Sequence, residues 1–160
     1  MRFLVAALLL MLVSTAASAE AVKVEAVLTP KEQMRLDFDD GSKHFVLLVR
    51  REGQAEGSGP LAGAAVTEYG MHDIQPGVGG DPRGYLVFAL ADGKAYIKWS
   101  VRAVFVPGPH GKPQLLDNGV WEVAGASGSL AGLQGAGSLN IKPASPTDRR
   151  FILSGELVQR

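Results

Sequence analysis

Lys94-Ala95-Tyr96-Ile97-Lys98-Trp99-Ser100-Val101-Arg102-Ala103-Val104-Phe105-Val106 decides the fold class. Ala95, Ile97, Trp99, Val101, Ala103 and Phe105 fall on one face, while Tyr96, Lys98, Ser100 and Arg102 fall on the other. Side chains of an extended chain alternate between faces, whereas those of a helix repeat every 3.6 residues, so this spacing predicts a long half-buried strand. Asp92-Gly93 ahead of it is a tight-turn signal, and Tyr85 to Leu90 reads as the preceding strand. Behind it, Pro107, Gly108, Pro109, Gly111 and Pro113 form a protruding turn, after which Leu115 to Ala124 continues as strand.

Working outward, Ala21 to Thr29 alternates Val22, Val24, Ala26 and Leu28 against Lys23 and Glu25, and Pro30 is expected to end that strand. Met34, Leu36 and Phe38 alternate with Arg35, Asp37 and Asp39, and Asp40-Gly41 turns this segment into a third strand, His44 to Arg50. Glu52 to Gly63 reads as a surface loop, Ala64 to Tyr69 as a short strand, and Gly70 to Gly84 as a long irregular loop. Ser138 to Lys142 and Arg150 to Val158 are the last strands. About eight or nine antiparallel strands result, the number at which a sheet can close on itself and lose its exposed edges.

The chain has 160 residues, with 16 basic and 16 acidic side chains and no cysteine. Arg2, the apolar run from Phe3 to Val13 and the small residues Ala17-Ser18-Ala19 fit a cleavable signal peptide over residues 1–19, leaving residues 20–160 as one domain. The apolar run is shorter than the roughly 20 residues a membrane-spanning helix needs, so no stable membrane anchor is expected. The expected location is the periplasm or the medium. No disulfide can form, and the near-neutral balance lacks the basic face that nucleic acid requires.

The segment Gly119-Val120-Trp121-Glu122-Val123-Ala124-Gly125-Ala126-Ser127-Gly128-Ser129-Leu130-Ala131-Gly132-Leu133-Gln134-Gly135-Ala136-Gly137 resembles one from the allene oxide cyclase-like and dirigent-like barrel group. Gly125, Gly128, Gly132, Gly135 and Gly137 match the group's spacing; Ala126-Ser127 and Ser129-Leu130 depart from it. The resemblance implies an all-β fold made of a single eight-stranded antiparallel barrel. It implies no single reaction, since the group includes cyclases, dirigent proteins and exported proteins of unknown role.

No Walker loop, dinucleotide fingerprint or Gly-x-Ser-x-Gly elbow occurs, so no cofactor is expected. His44, His72 and His110 lack the spacing of a metal site, and Asp37, Asp39, Asp40 and Gly41 lack the glutamate that would complete a calcium loop. The densest set of titratable groups is Glu68, Tyr69, His72 and Asp73, where an adjacent acid could orient the histidine as a general base. The expected function is binding of a small apolar ligand or an envelope partner, with Tyr85, Trp99, Phe105 and Trp121 as ligand-binding candidates. The alternative is a cyclase or isomerase acting in the barrel interior, with Glu68, Tyr69, Lys98 and Glu122 as catalytic candidates. Tyr96, on the predicted outer face, suits a homo-oligomer contact.

Overall fold

The computed structural model describes residues 19–160; the signal peptide expected over residues 1–19 lies almost wholly outside the described residues. Nine strands follow in order: β1 (Glu20–Asp37), β2 (Phe45–Ser58), β3 (Ala65–Gln75), β4 (Gly79–Gly80), β5 (Arg83–Ala89), β6 (Gly93–Pro107), β7 (Pro113–Gly128), β8 (Leu133–Pro143) and β9 (Arg149–Gln159). A single 3₁₀ turn, Pro109–Gly111, caps the β6–β7 hairpin. Each long strand pairs antiparallel with its neighbours and β9 returns to β1, so eight strands close into a barrel. The two-residue β4 is extra, bridging β3 and β6 at one end. Closure pairs the strands of the barrel on both sides, while residues 32–37 of β1 and residues 113–116 of β7 extend beyond it and pair on one side only.

Three segments are more regular than their composition suggests. β1 runs through Pro30 with a register shift between Pro30 and Glu32, because a proline without an N–H is tolerated at a bulge. β2 continues through Glu52 to Ser58, and β3 through Gly70 to Gln75, replacing most of the two loops expected there. Cross-strand partners on both sides impose the extended backbone on these polar and glycine-containing stretches.

The inward faces build the core. Val22, Val24, Ala26 and Leu28 of β1 meet Phe88, Ile97, Leu139, Phe151 and Leu153, and Leu61, Leu130 and Leu133 close one end. Trp99 packs edge-on against Phe151, with ring centroids 5.6 Å apart. One inward row runs around the wall through Val49, Gly70, Gly84, Trp99, Trp121, Gly137 and Gly155 and returns to β1 at Val22. Four glycines thus flank the two indoles. A Cβ on Gly155 would sit 2.8 Å from Trp121 Cζ2 and collide with the carbonyl of Ala136. Glycine here allows the strands to approach and bend where the tryptophans occupy the interior. In the glycine segment, Gly128 (φ 63°) and Gly132 (φ 80°) serve instead as left-handed turn residues between β7 and β8.

The close approach at Gly155 predicts that Gly155→Ala costs about 1–3 kcal/mol, the usual range for overpacking. Urea denaturation followed by tryptophan fluorescence measures it; a midpoint equal to that of the wild type contradicts the packing described.

Candidate functional site

Extending the alternation of β3 outward from Val66 places Glu68, Gly70, His72 and Ile74 on the interior face and Tyr69 and Asp73 on the exterior. β2 brings Arg51 inward beside them. Arg51 Nη1 donates to Glu68 Oε2 at 2.7 Å, and His72 Nε2 lies 2.8 Å from Glu68 Oε1. Arg51 Nη1 is also 3.2 Å from His72 Nε2. A ring nitrogen that donates to the carboxylate cannot at the same time accept from the guanidinium, so Glu68 is the acceptor that binds both partners. Gly70 lies beneath this contact: a Cβ there would be 2.9 Å from His72 Nε2 and would collide with the Glu68 carboxylate.

Glu68 is fully buried, Arg51 is 4% exposed and His72 9%. Removing one member of such a network strands a charge in low dielectric, which costs far more than the intact network contributes. Asp117 of β7 and Arg149 of β9 face the same end of the barrel. Burial pushes the Asp117 carboxyl up to about 6, against the opposing fields of His72 and Arg149. Burial, reinforced by the nearby Arg51 charge, pulls Arg149 below the ordinary arginine value. The Arg149 guanidinium donates to the carbonyls of Ser145 and Asp148. Among the described residues, three buried polar atoms in this region have no hydrogen-bond partner: Arg51 Nε, Trp99 Nε1 and Asp117 Oδ1.

The second feature is outside the barrel. A groove of about 1150 Å³ lies across β1 to β8, directly over the glycine and tryptophan row. Its walls are two outward rows on either side of that row. One contains Glu32, Arg50, Tyr69, Tyr85, Lys98, Glu122 and Ala136. The other contains Met34, Leu48, Met71, Arg83, Ser100 and Val120. Met34 is 66% exposed, Val120 60% and Tyr69 55%. Large apolar side chains left in water and gathered in one concavity mark a binding surface more often than isolated ones do. Arg50 is paired with Glu32 at 2.8 Å and with Glu52, and Lys98 lies 3.8 Å from Glu122. The Glu32 carboxyl is held below its usual range chiefly by the hydrogen bond from Arg50. Arg83 has no ion pair among the described residues.

The sequence-derived candidates therefore divide between two places. Glu68, Trp99 and Trp121 point inward, Trp121 donating from Nε1 to the carbonyl of Ser154 at 3.3 Å. Tyr69, Tyr85, Lys98 and Glu122 come together in the outer groove. Phe105 is half-buried opposite Leu115, near the end of the β6–β7 hairpin, and Tyr96 is exposed beyond the groove. His72 takes its acid from Glu68, four residues back, while Asp73 turns outward and contacts His44 at 2.5 Å. Arg51, Arg83, Asp117 and Arg149 are additions from the structure. Arg51 and Asp117 carry a detectable signal: each is a charged residue in phase with an apolar face, Arg51 between Val49 and Ala55, Asp117 between Leu115 and Trp121. Among the described residues, no group of His, Asp and Glu could hold a metal ion.

No family model matches the sequence, and no curated protein matches it. A crystal structure described as that of a conserved protein of unknown function from Rhodopseudomonas palustris is similar, at 12% identity and a TM-score of 0.47. The match covers 91% of this chain and 99% of that one. The eight-stranded barrel rests on the chain's own strand pairing, and its structural neighbour is distant and of unknown function.

Two outcomes test the interior cluster. Glu68→Gln leaves Arg51 without its carboxylate and is expected to cost about 3–5 kcal/mol, read from urea denaturation. The proton on Asp117 is held more tightly in the folded than in the unfolded chain. Its contribution to stability is therefore full below the ordinary carboxyl value of 3.8 and lost as pH rises through about 6. The stability difference between wild type and Asp117→Asn should fall across that window and flatten above it, and a flat difference from pH 4 to 8 would refute the assignment.

Proposed function

We propose that this barrel is a binding protein whose outer groove receives an elongated apolar ligand carrying one anionic group. The observation that carries this reading is the groove itself, apolar along Met34, Leu48, Tyr69, Tyr85 and Val120, with Arg83 as a cation unpaired among the described residues. Six interstrand steps of roughly 4.8 Å give a path of about 29 Å along the curved wall, long enough for an extended chain. Tyr69 and Tyr85 are direct cross-strand partners on the groove wall, and a tyrosine, with two side-chain torsions, costs little entropy to order. Expulsion of water from these side chains supplies the affinity, and Arg83 selects the charge of the head group. Coupled to the signal peptide expected over residues 1–19, this activity would operate in the periplasm or the medium.

A catalytic reading, conversion of an apolar substrate inside the barrel as in the allene oxide cyclase-like group, has one observation in its favour. This is the hydrogen-bonded Glu68 and His72 pair beside Trp99. Tyr69, Lys98 and Glu122 face away from that pair and cannot join it in one reaction.

Titration with dodecanoate below its micellar concentration, followed by calorimetry, tests the binding role. Saturable binding should weaken about 10-fold in Tyr85→Ala, a loss of about 1.4 kcal/mol, and comparably in Arg83→Gln. Dodecyltrimethylammonium should bind more weakly than dodecanoate, and Tyr96→Ala, outside the groove, should bind as wild type does. Equal binding by all variants, or none by the wild type, would rule the groove out.

A further inference from the structure

We infer that the polar end of the barrel interior is a site for one small oxyanion, of carboxylate or phosphate class, separate from the outer groove. Two buried N–H donors carry the inference: Arg51 Nε and Trp99 Nε1, both without an acceptor among the described residues. Their residues are 4% and 2% exposed, and each neighbours His72, Arg51 at 3.2 Å and the Trp99 ring at 5.8 Å between centroids. Buried donors are almost always paired, and neither orphan reaches Asp117 Oδ1, the third unpartnered buried atom, so two orphans around one histidine imply a further acceptor between them.

The charges point the same way. Arg51 and Arg149 face this end against Glu68 and Asp117, and Glu68 is already engaged by Arg51 and His72. When Asp117 is protonated, two guanidinium groups face a single carboxylate, and the Asp117 hydroxyl adds a third donor. An oxyanion accepting from Arg51 Nε and Trp99 Nε1 would then balance the charge and satisfy both orphans. When Asp117 is ionised, its carboxylate repels the anion, so binding weakens as the pH rises. Asp117 sets this dependence, and the titratable and charged groups that face it are Glu68, His72, Arg51 and Arg149.

The chain has two tryptophans, which makes the test direct. In ¹H–¹⁵N spectra of the full-length protein, formate or phosphate should shift the Trp99 indole resonance saturably. The Trp121 indole, already donating to Ser154, should stay in place. The shift should saturate at several-fold lower anion concentration at pH 5 than at pH 7.5, and Asp117→Asn should abolish that pH difference. Trp99→Phe keeps a ring in the core and removes the N–H; calorimetry should then show affinity reduced at least 5-fold while the fold is retained. Response to formate alone assigns a carboxylate site, and response to phosphate alone assigns a phosphate site. An unmoved Trp99 indole with both anions at both pH values, or a Trp99→Phe variant that binds as the wild type does, overturns the proposal.

Discussion

Glycine and tryptophan share one cross-strand row that winds around this barrel, and much of the molecule follows from that sharing. Trp99 and Trp121 are cross-strand partners whose indoles enter the interior side by side. A closed wall of eight strands has room for two such side chains at one level only if their neighbours contribute no volume there. Gly70, Gly84, Gly137 and Gly155 supply that absence. On the outer side of the same row, the two adjacent outward rows line the groove.

Beyond this row the interior changes character. One end is apolar and closed by Leu61, Leu130 and Leu133, while the other carries Arg51, Glu68, His72, Asp117 and Arg149. A hydrophobic replacement of such a network would be as stable or more so, because desolvating five ionisable groups is expensive. Retaining them at one end, together with orphan donors, is easier to reconcile with a chemical role than with stability alone. Exterior and interior features are distinct in chemistry: the groove offers apolar area beside the Arg83 cation, the barrel end offers directed hydrogen bonds among buried charged groups.

The alternation in β6 needed no structure to interpret. Every inward residue from Ala95 to Ala103 is buried and every outward one exposed, as period two requires. Where the pattern was interrupted by polar or small residues, as in Gln54 to Ser58 or Gly70 to Gln75, the strand was not visible. Backbone pairing there comes from neighbours distant in sequence, and local propensity loses to it. Glu68 and His72 were noticed as a local cluster with Tyr69 and Asp73, yet the pleat separates those two pairs onto opposite faces.

The sequence by itself determined the class of the fold, the tight hairpin at Asp92-Gly93, the absence of disulfides and the faces of the strongest strands. These depend on spacing along the chain, which the sequence records. Tertiary structure alone decided that Arg51 meets Glu68, that Tyr69, Tyr85, Lys98 and Glu122 share a groove, and that Asp117 enters a buried field. Those facts depend on cross-strand register and on the stagger with which β9 returns to β1. Register is set by the summed packing of the whole closed wall, and no local stretch of residues carries that sum.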